Sequence, residues 1–174
     1  MTFILKRKGP NSRQVSKIIA NSEVLKPGEA VRLASGFVVT CPAGSSIWGV
    51  VQSIVGKNGE MLRTNGGSGD FNPEGDYTAA SDNQTVAQVK AMVLVGKDSA
   101  YSVTADDTLA TTTGSNLAGY LMDHTSGGLV LDESTAATSS AQWISEGLDP
   151  ETNGSLVTGT GKVVVRIYED QFDA

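Results

Sequence analysis

A chain of 174 residues can bury one domain core, or one core with an arm attached. Hydrophobic residues make up 39% and charged residues only 18%, with 20 Gly, so small and turn-forming residues fill the difference, a chemistry that suits pleated strands. One Cys excludes an intrachain disulfide, one Cys with one His excludes a zinc site of nitrogen and sulfur ligands, and a net charge of −6 works against phosphate binding.

The charge is unevenly spread. Residues 1–32 hold seven basic and two acidic residues, whereas residues 33–174 hold six basic and seventeen acidic ones. This predicts a basic N-terminal arm, residues 1–22, ahead of an acidic body, residues 23–174. Gly9-Pro10-Asn11-Ser12 breaks any regular element in the arm, and residues 13–20 read as extended chain in preference to one helical turn. Lys6, Arg7, Lys8, Arg13 and Lys17 are the candidate partner-binding residues, because clustered cations on an acidic protein attract an acidic surface. The plainer alternative is a disordered terminus.

From Glu23 the pattern changes to short apolar runs between turns. Glu23-Val24-Leu25 leads into Lys26-Pro27-Gly28-Glu29, and Ala30-Val31-Arg32-Leu33 alternates, with Val31 and Leu33 on one face. Ala34-Ser35-Gly36 turns, and Phe37-Val38-Val39-Thr40-Cys41 is a β run stopped by Pro42-Ala43-Gly44. Residues 46–55 form another run, and Gly56-Lys57-Asn58-Gly59-Glu60 places Asn-Gly at a hairpin tip before Met61-Leu62-Arg63-Thr64 returns. Residues 65–84 are polar and longer than an ordinary connection, either an excursion on the outer surface or a mobile loop.

Residues 86–95 predict the next strand, and its Met92-Val93-Leu94-Val95 stretch lacks polar alternation, as in a strand buried on both faces. Lys97-Asp98-Ser99-Ala100 turns, and Tyr101-Ser102-Val103-Thr104-Ala105 alternates up to Asp106-Asp107. Residues 108–113 are low in complexity, residues 117–123 and 128–132 predict two strands, and residues 133–141 cross the surface. Residues 142–148 precede a turn at 149–154, and Val163-Val164-Val165-Arg166-Ile167 is the clearest strand of all. The sum is an all-β fold, a small barrel or sandwich of roughly eight to ten short antiparallel strands with an extended N-terminal arm. No window carries a helical amphipathic stripe, and no run is apolar for long enough to span a membrane as a helix.

Chemistry-bearing patterns are sparse. His124 is the sole histidine, and Asp123 and Ser126 beside it do not make a triad by adjacency; it reads as turn-facing. Cys41, before Pro42, reads as a small buried residue. Gly159-Thr160-Gly161-Lys162 fails as a phosphate loop, because Leu156 stands at the first glycine and Val163 at the magnesium-binding hydroxyl. Asp149, Glu151, Asn153 and Gly154 mimic the start of a calcium loop, but Thr160 holds its twelfth position, so a β-turn is preferred. The pairs Asp106/Asp107 and Asp132/Glu133 read as solvated strand ends. The expectation is a chain without catalytic residues, metal or cofactor.

The stretch Val24-Leu25-Lys26-Pro27-Gly28-Glu29-Ala30-Val31-Arg32-Leu33 with Ile47-Trp48-Gly49-Val50-Val51 resembles the capsid decoration (cement) proteins of tailed bacteriophages. Ala100-Tyr101-Ser102-Val103, Asp106-Asp107-Thr108-Leu109 and Val163-Val164-Val165-Arg166-Ile167 fit the same style, so the resemblance covers about residues 23–170, on the spacing of Gly and Val. It implies a structural virion protein that binds the outer capsid surface and stabilises contacts between capsomers. The implied partners are the major capsid protein and copies of the chain itself, with a trimer favoured and neither nucleic acid nor membrane involved. Assembly is then expected in the host cytoplasm. Alternatives are a head fibre base or tail protein, or a carbohydrate-binding β-sandwich, which would need exposed aromatics.

Overall fold

A computed structural model describes residues 3–64, 75–104, 119, 121–124, 131–132, 141–150, 162–168 and 172. In chain order the strands are β1 (Ile4–Arg7), β2 (Arg13–Ile18), β3 (Val24–Leu25), β4 (Ala30–Ala34), β5 (Phe37–Thr40), β6 (Gly49–Val55) and β7 (Met61–Thr64). They continue as β8 (Tyr77–Thr78), β9 (Lys90–Val95), β10 (Ala100–Thr104), β11 (Leu121–His124), β12 (Leu131–Asp132), β13 (Trp143–Leu148) and β14 (Lys162–Ile167). The first sheet has the order β1-β10-β14-β13-β11-β12, the second β2-β9-β6-β4-β5 with β7 also on β6, and β3 pairs with β8 in a small ribbon. All ladders are antiparallel. One parallel bridge, Ile19 to Val38, ties the end of β2 to β5, but no ladder closes the second sheet, so the fold is a sandwich and not a barrel.

Local sequence explains the turns. Ser35 (φ 52°) and Gly36 (φ 84°) both take left-handed conformations between β4 and β5, the geometry that matches hairpin twist. Gly59 (φ 88°) does the same after Asn58 between β6 and β7. Strand β6 is central: β9 runs along one edge, while β4 takes its first residues and β7 its last on the other. Gly49 permits the β9 contact, because a Cβ there would lie 2.5 Å from the Leu94 carbonyl oxygen.

The central strands of the second sheet, β6 and β9, are buried on both faces over most of their length. Ala30, Val50 and Leu94 join one core cluster with Val103, Val163, Val165 and Ile167 of the first sheet. Their chain neighbours Val31, Val51, Val93 and Val95 join a second cluster with Ile19, Leu25 and Ala79. This is why residues 92–95 carry no polar alternation. In the first cluster Phe3 stacks on Trp143 at 4.3 Å between centroids and meets the edge of Tyr101 at 6.4 Å.

Ile4–Arg7 and Arg13–Ile18 are extended, with a turn at residues 10–11 between them, and these strands are paired into both sheets: β1 on β10 and β2 on β9. Phe3 is fully buried and its N–H donates to the Gly28 carbonyl at 2.8 Å. The polar and basic residues mask this in the sequence, since Leu5 runs into Lys6-Arg7-Lys8 and Val15 stands between Gln14 and Ser16. The strand expected over 86–95 begins only at Lys90, because Asn83–Ala87 forms a π-helical turn and Gln88 (φ 51°) is left-handed. The turn is held by the buried Asn83 side chain, which donates to the carbonyls of Ile19 (2.7 Å) and Val89 (3.1 Å) and accepts from the Val89 N–H (2.8 Å). The described residues contain fourteen strands against the eight to ten expected, since short segments such as β3 and β8 add pairs too brief to show a period. The positions 65–74, 105–118, 125–130, 133–140 and 151–161, which include Asp106, Asp107, Ser126, Glu133, Glu151, Asn153 and the Gly159–Gly161 stretch, lie outside the described residues.

Removing a buried aromatic ring from a packed core costs about 3–5 kcal/mol, so Phe3→Ala is expected to lower the urea midpoint by that equivalent. A free arm would lose nothing, and an unchanged midpoint would count against the pairing of residues 3–7 into the first sheet.

Candidate protein-binding surface

Two connections cross from sheet to sheet side by side. Residues 8–12 join β1 to β2, residues 96–99 join β9 to β10, and the strands they link are partners of one another. The two crossings touch so closely at Gly9 against Asp98 and at Gly96 against Ser12 that neither position has room for a Cβ. The Asp98 carboxylate accepts from the Asn11 N–H (3.0 Å), the Asn11 side-chain amide (3.2 Å) and the Ser12 hydroxyl (2.7 Å). The Asn11 N–H leads the Ser12 hydroxyl in holding the Asp98 carboxyl below its ordinary value. Ser99 adds a link: its hydroxyl donates to the Ser12 hydroxyl at 2.7 Å and accepts from the Gly9 N–H at 3.1 Å. Beside these crossings lies a pocket of about 350 Å³, lined by Asn11, Arg13, Val95, Gly96, Lys97, Asp98 and Phe172.

The five basic residues of the expected arm divide into two groups. Lys6 lies 3.3 Å from the buried Asp149 carboxylate, and Arg7 holds Glu146 at 2.8 and 3.1 Å, so these two cations are engaged by the chain's own acidic body. Asp149, the first position of the calcium-like stretch, is thereby an ion-pair partner of β1. Lys8, Arg13 and Lys17 are exposed and make no ion pair among the described residues. Arg13 and Lys17 belong to β2, which pairs with β9 on one side only, so they line a sheet edge. They flank Val15 symmetrically, and two copies of this edge laid antiparallel about Val15 would set like charges opposite one another.

Groups that the sequence leaves scattered converge inside the molecule. His124, expected at a turn, sits in β11 and is 1% exposed. The Trp143 indole N–H donates to His124 Nδ1 at 3.0 Å. An indole nitrogen can only donate, so Nδ1 is unprotonated and Nε2 carries the proton that it gives to the Cys41 carbonyl at 2.8 Å. Burial holds the His124 pKa below its ordinary value, which keeps this neutral tautomer. The Gln142 amide donates to the carbonyls of Pro42 (3.1 Å) and Ser45, and Asp123 accepts from the Gly44 N–H at 3.3 Å. Burial pushes the Cys41 thiol up to about 12, so it is a thiol and not a nucleophilic thiolate at neutral pH. Cys, His, Asp and Gln thus meet here as a clip that fastens residues 41–46, between β5 and β6, to β11 and β13 of the other sheet. The bonds that tie Gly44 to Asp123, Cys41 to His124 and Pro42 to Gln142 span 79, 83 and 100 positions of the chain, so no local pattern signals the cluster.

Both tryptophans are buried, which removes them as a stacking platform for sugars. Among the described residues no group of three His, Cys, Asp or Glu side chains could hold a metal ion, and no helix is long and apolar enough to cross a membrane. Glu29 is buried beneath the 26–29 turn with its carboxylate accepting from the Lys26 N–H at 3.0 Å, and burial raises its pKa to about 8. No family model, curated protein or solved structure matches the chain.

Two outcomes follow from the buried titratable groups. Glu29 binds its proton more tightly in the folded chain than at its ordinary value of 4.5, so its contribution is full below pH 4.5 and is lost as pH rises through about 8. Glu29→Gln should flatten that decline in a series of denaturation curves across this window; an equally steep decline in the variant would refute the assignment. The Cys41 thiol should react with an aromatic disulfide reagent only at the rate of unfolding, and fast labelling of the native protein would show that the clip opens.

Proposed function

We propose that the chain is a structural protein that binds another protein's surface through the flank built by β1 and β2, as a capsid decoration protein of a tailed bacteriophage. The observation that carries the reading is the set of three exposed cations on one flank of a chain with net charge −6: Lys8 in the crossing, and Arg13 and Lys17 on the edge strand β2. A basic edge on an acidic body favours docking onto an acidic protein surface, and the net charge of −6 opposes nucleic acid over the rest of the body. The buried clip and the knitted crossings support the same reading, because they make a stiff body whose interior polar side chains fasten one segment to another. A partner that binds only an assembled lattice shifts the equilibrium toward assembly, and repetition over a lattice adds avidity to weak contacts. The major capsid protein is the proposed partner, a trimer the proposed state, and the outer face of the virion the proposed location.

The test is co-sedimentation of the purified chain with intact tailed-phage particles at several salt concentrations. Reversal of the two lysines, Lys8→Glu with Lys17→Glu, should weaken binding by about tenfold or more at low salt, with a smaller difference at high salt. Failure of the unmodified chain to bind any particle, or binding indifferent to both salt and charge reversal, would sink the proposal. Light scattering that shows a monomer at every concentration would remove the trimer.

A further inference from the structure

We propose that the pocket beside the two crossings is a preformed seat for one apolar side chain flanked by carboxylates in an extended segment of the partner. The inference rests on the protein-binding reading and adds the chemistry of the anchor. The volume of about 350 Å³ falls in the range of small-ligand sites and exceeds what a surface dimple offers one methyl group. Val95 and Phe172 supply apolar walls, and both belong to or pack on the core, so they are held in place. Arg13 stands on the lining, exposed and without an ion pair among the described residues, and Lys97 adds a second cation.

The acid on the lining is outnumbered by its two cations, Arg13 and Lys97. Both oxygens of Asp98 are bonded to Asn11 and Ser12, which turns its charge into the crossings. Those same bonds fix Asn11 and Asp98 of the lining before any guest arrives, which lowers the ordering entropy lost on binding. Position selects an extended guest: Arg13 is the first residue of β2 and sits opposite Val95 of β9, so a chain following the open edge of β2 runs directly to the pocket. An apolar side chain enters the cavity against Val95 and Phe172, and a carboxylate beside it meets the Arg13 guanidinium, whose planar fork suits that group.

The test titrates three capped tripeptides into the isotope-labelled full chain: acetyl-Glu-Leu-Glu-amide, acetyl-Lys-Leu-Lys-amide and acetyl-Glu-Gly-Glu-amide. The first should give saturable amide shifts at Val95, Gly96 and Lys97. The other two peptides, and the first peptide on Arg13→Gln, should bind about tenfold more weakly or not at all, as expected from losing one charge pair or one buried side chain. Equal affinities for the three peptides, shifts centred elsewhere, no saturable binding, or an Arg13→Gln variant that binds as well as the parent would each overturn the inference. Particle binding that survives Arg13→Gln undiminished would overturn it while leaving the proposed function standing. Peptide binding at the pocket by a chain that ignores particles would uphold the seat and remove the capsid reading.

Discussion

Central strands buried on both faces leave little room for polar side chains, and that constraint organises the molecule. Strands β6 and β9 carry Val50, Val51, Val93, Leu94 and Val95 into two clusters at once. Burial of each such side chain stabilises the fold by about 1.5–3 kcal/mol, which makes these strands the densest source of stability in the chain. The polar groups are consequently pushed to places where segments meet: the crossings around Asp98, the clip around His124 and the turn held by Asn83.

Those meeting points work by asymmetry of cost. A satisfied hydrogen bond adds about 1 kcal/mol net, whereas a buried group left without its partner costs about 1–3 kcal/mol. Trp143, His124 and the Cys41 carbonyl form one chain of donors and acceptors in which the removal of any member orphans the next. Such chains contribute more to the uniqueness of the fold than to its depth. They hold the two sheets in one relative position, and a fixed relative position is what the proposed binding flank, with an edge from each sheet, requires.

The strands with strong local character were legible from residue types alone. Val163-Val164-Val165-Arg166-Ile167, Phe37-Val38-Val39-Thr40 and the unalternating Met92-Val93-Leu94-Val95 became β14, β5 and β9, because β-branched runs between turn residues leave few other options. The turn at Asn58-Gly59 was legible for the same reason. Residues 4–18 were legible as extended and basic but not as members of the sheets, since their pairing depends on Ala100–Thr104 and Lys90–Val95, far along the chain. Two of the five cations proved to be engaged internally, by Glu146 and Asp149, which no local pattern could indicate. Asn83 looked like part of a polar loop; only the arrival of Ile19 beside Val89 turns it into the keystone of a turn.

The pairing of β1 with β10 and of β10 with β14 also sets an order of events during synthesis. Strand β1 leaves the ribosome early, yet its hydrogen-bonding partner is not made until residue 104, and that partner's other neighbour not until residue 167. The aromatic ring of Phe3 must wait equally long for Trp143. Contacts of such long range are slow to form, because loop closure is paid before any contact is gained. A nascent chain therefore carries β1 and β2 unpaired until residues 90–104 are made, and their lysines and arginines guard these strands against wrong pairing in the meantime.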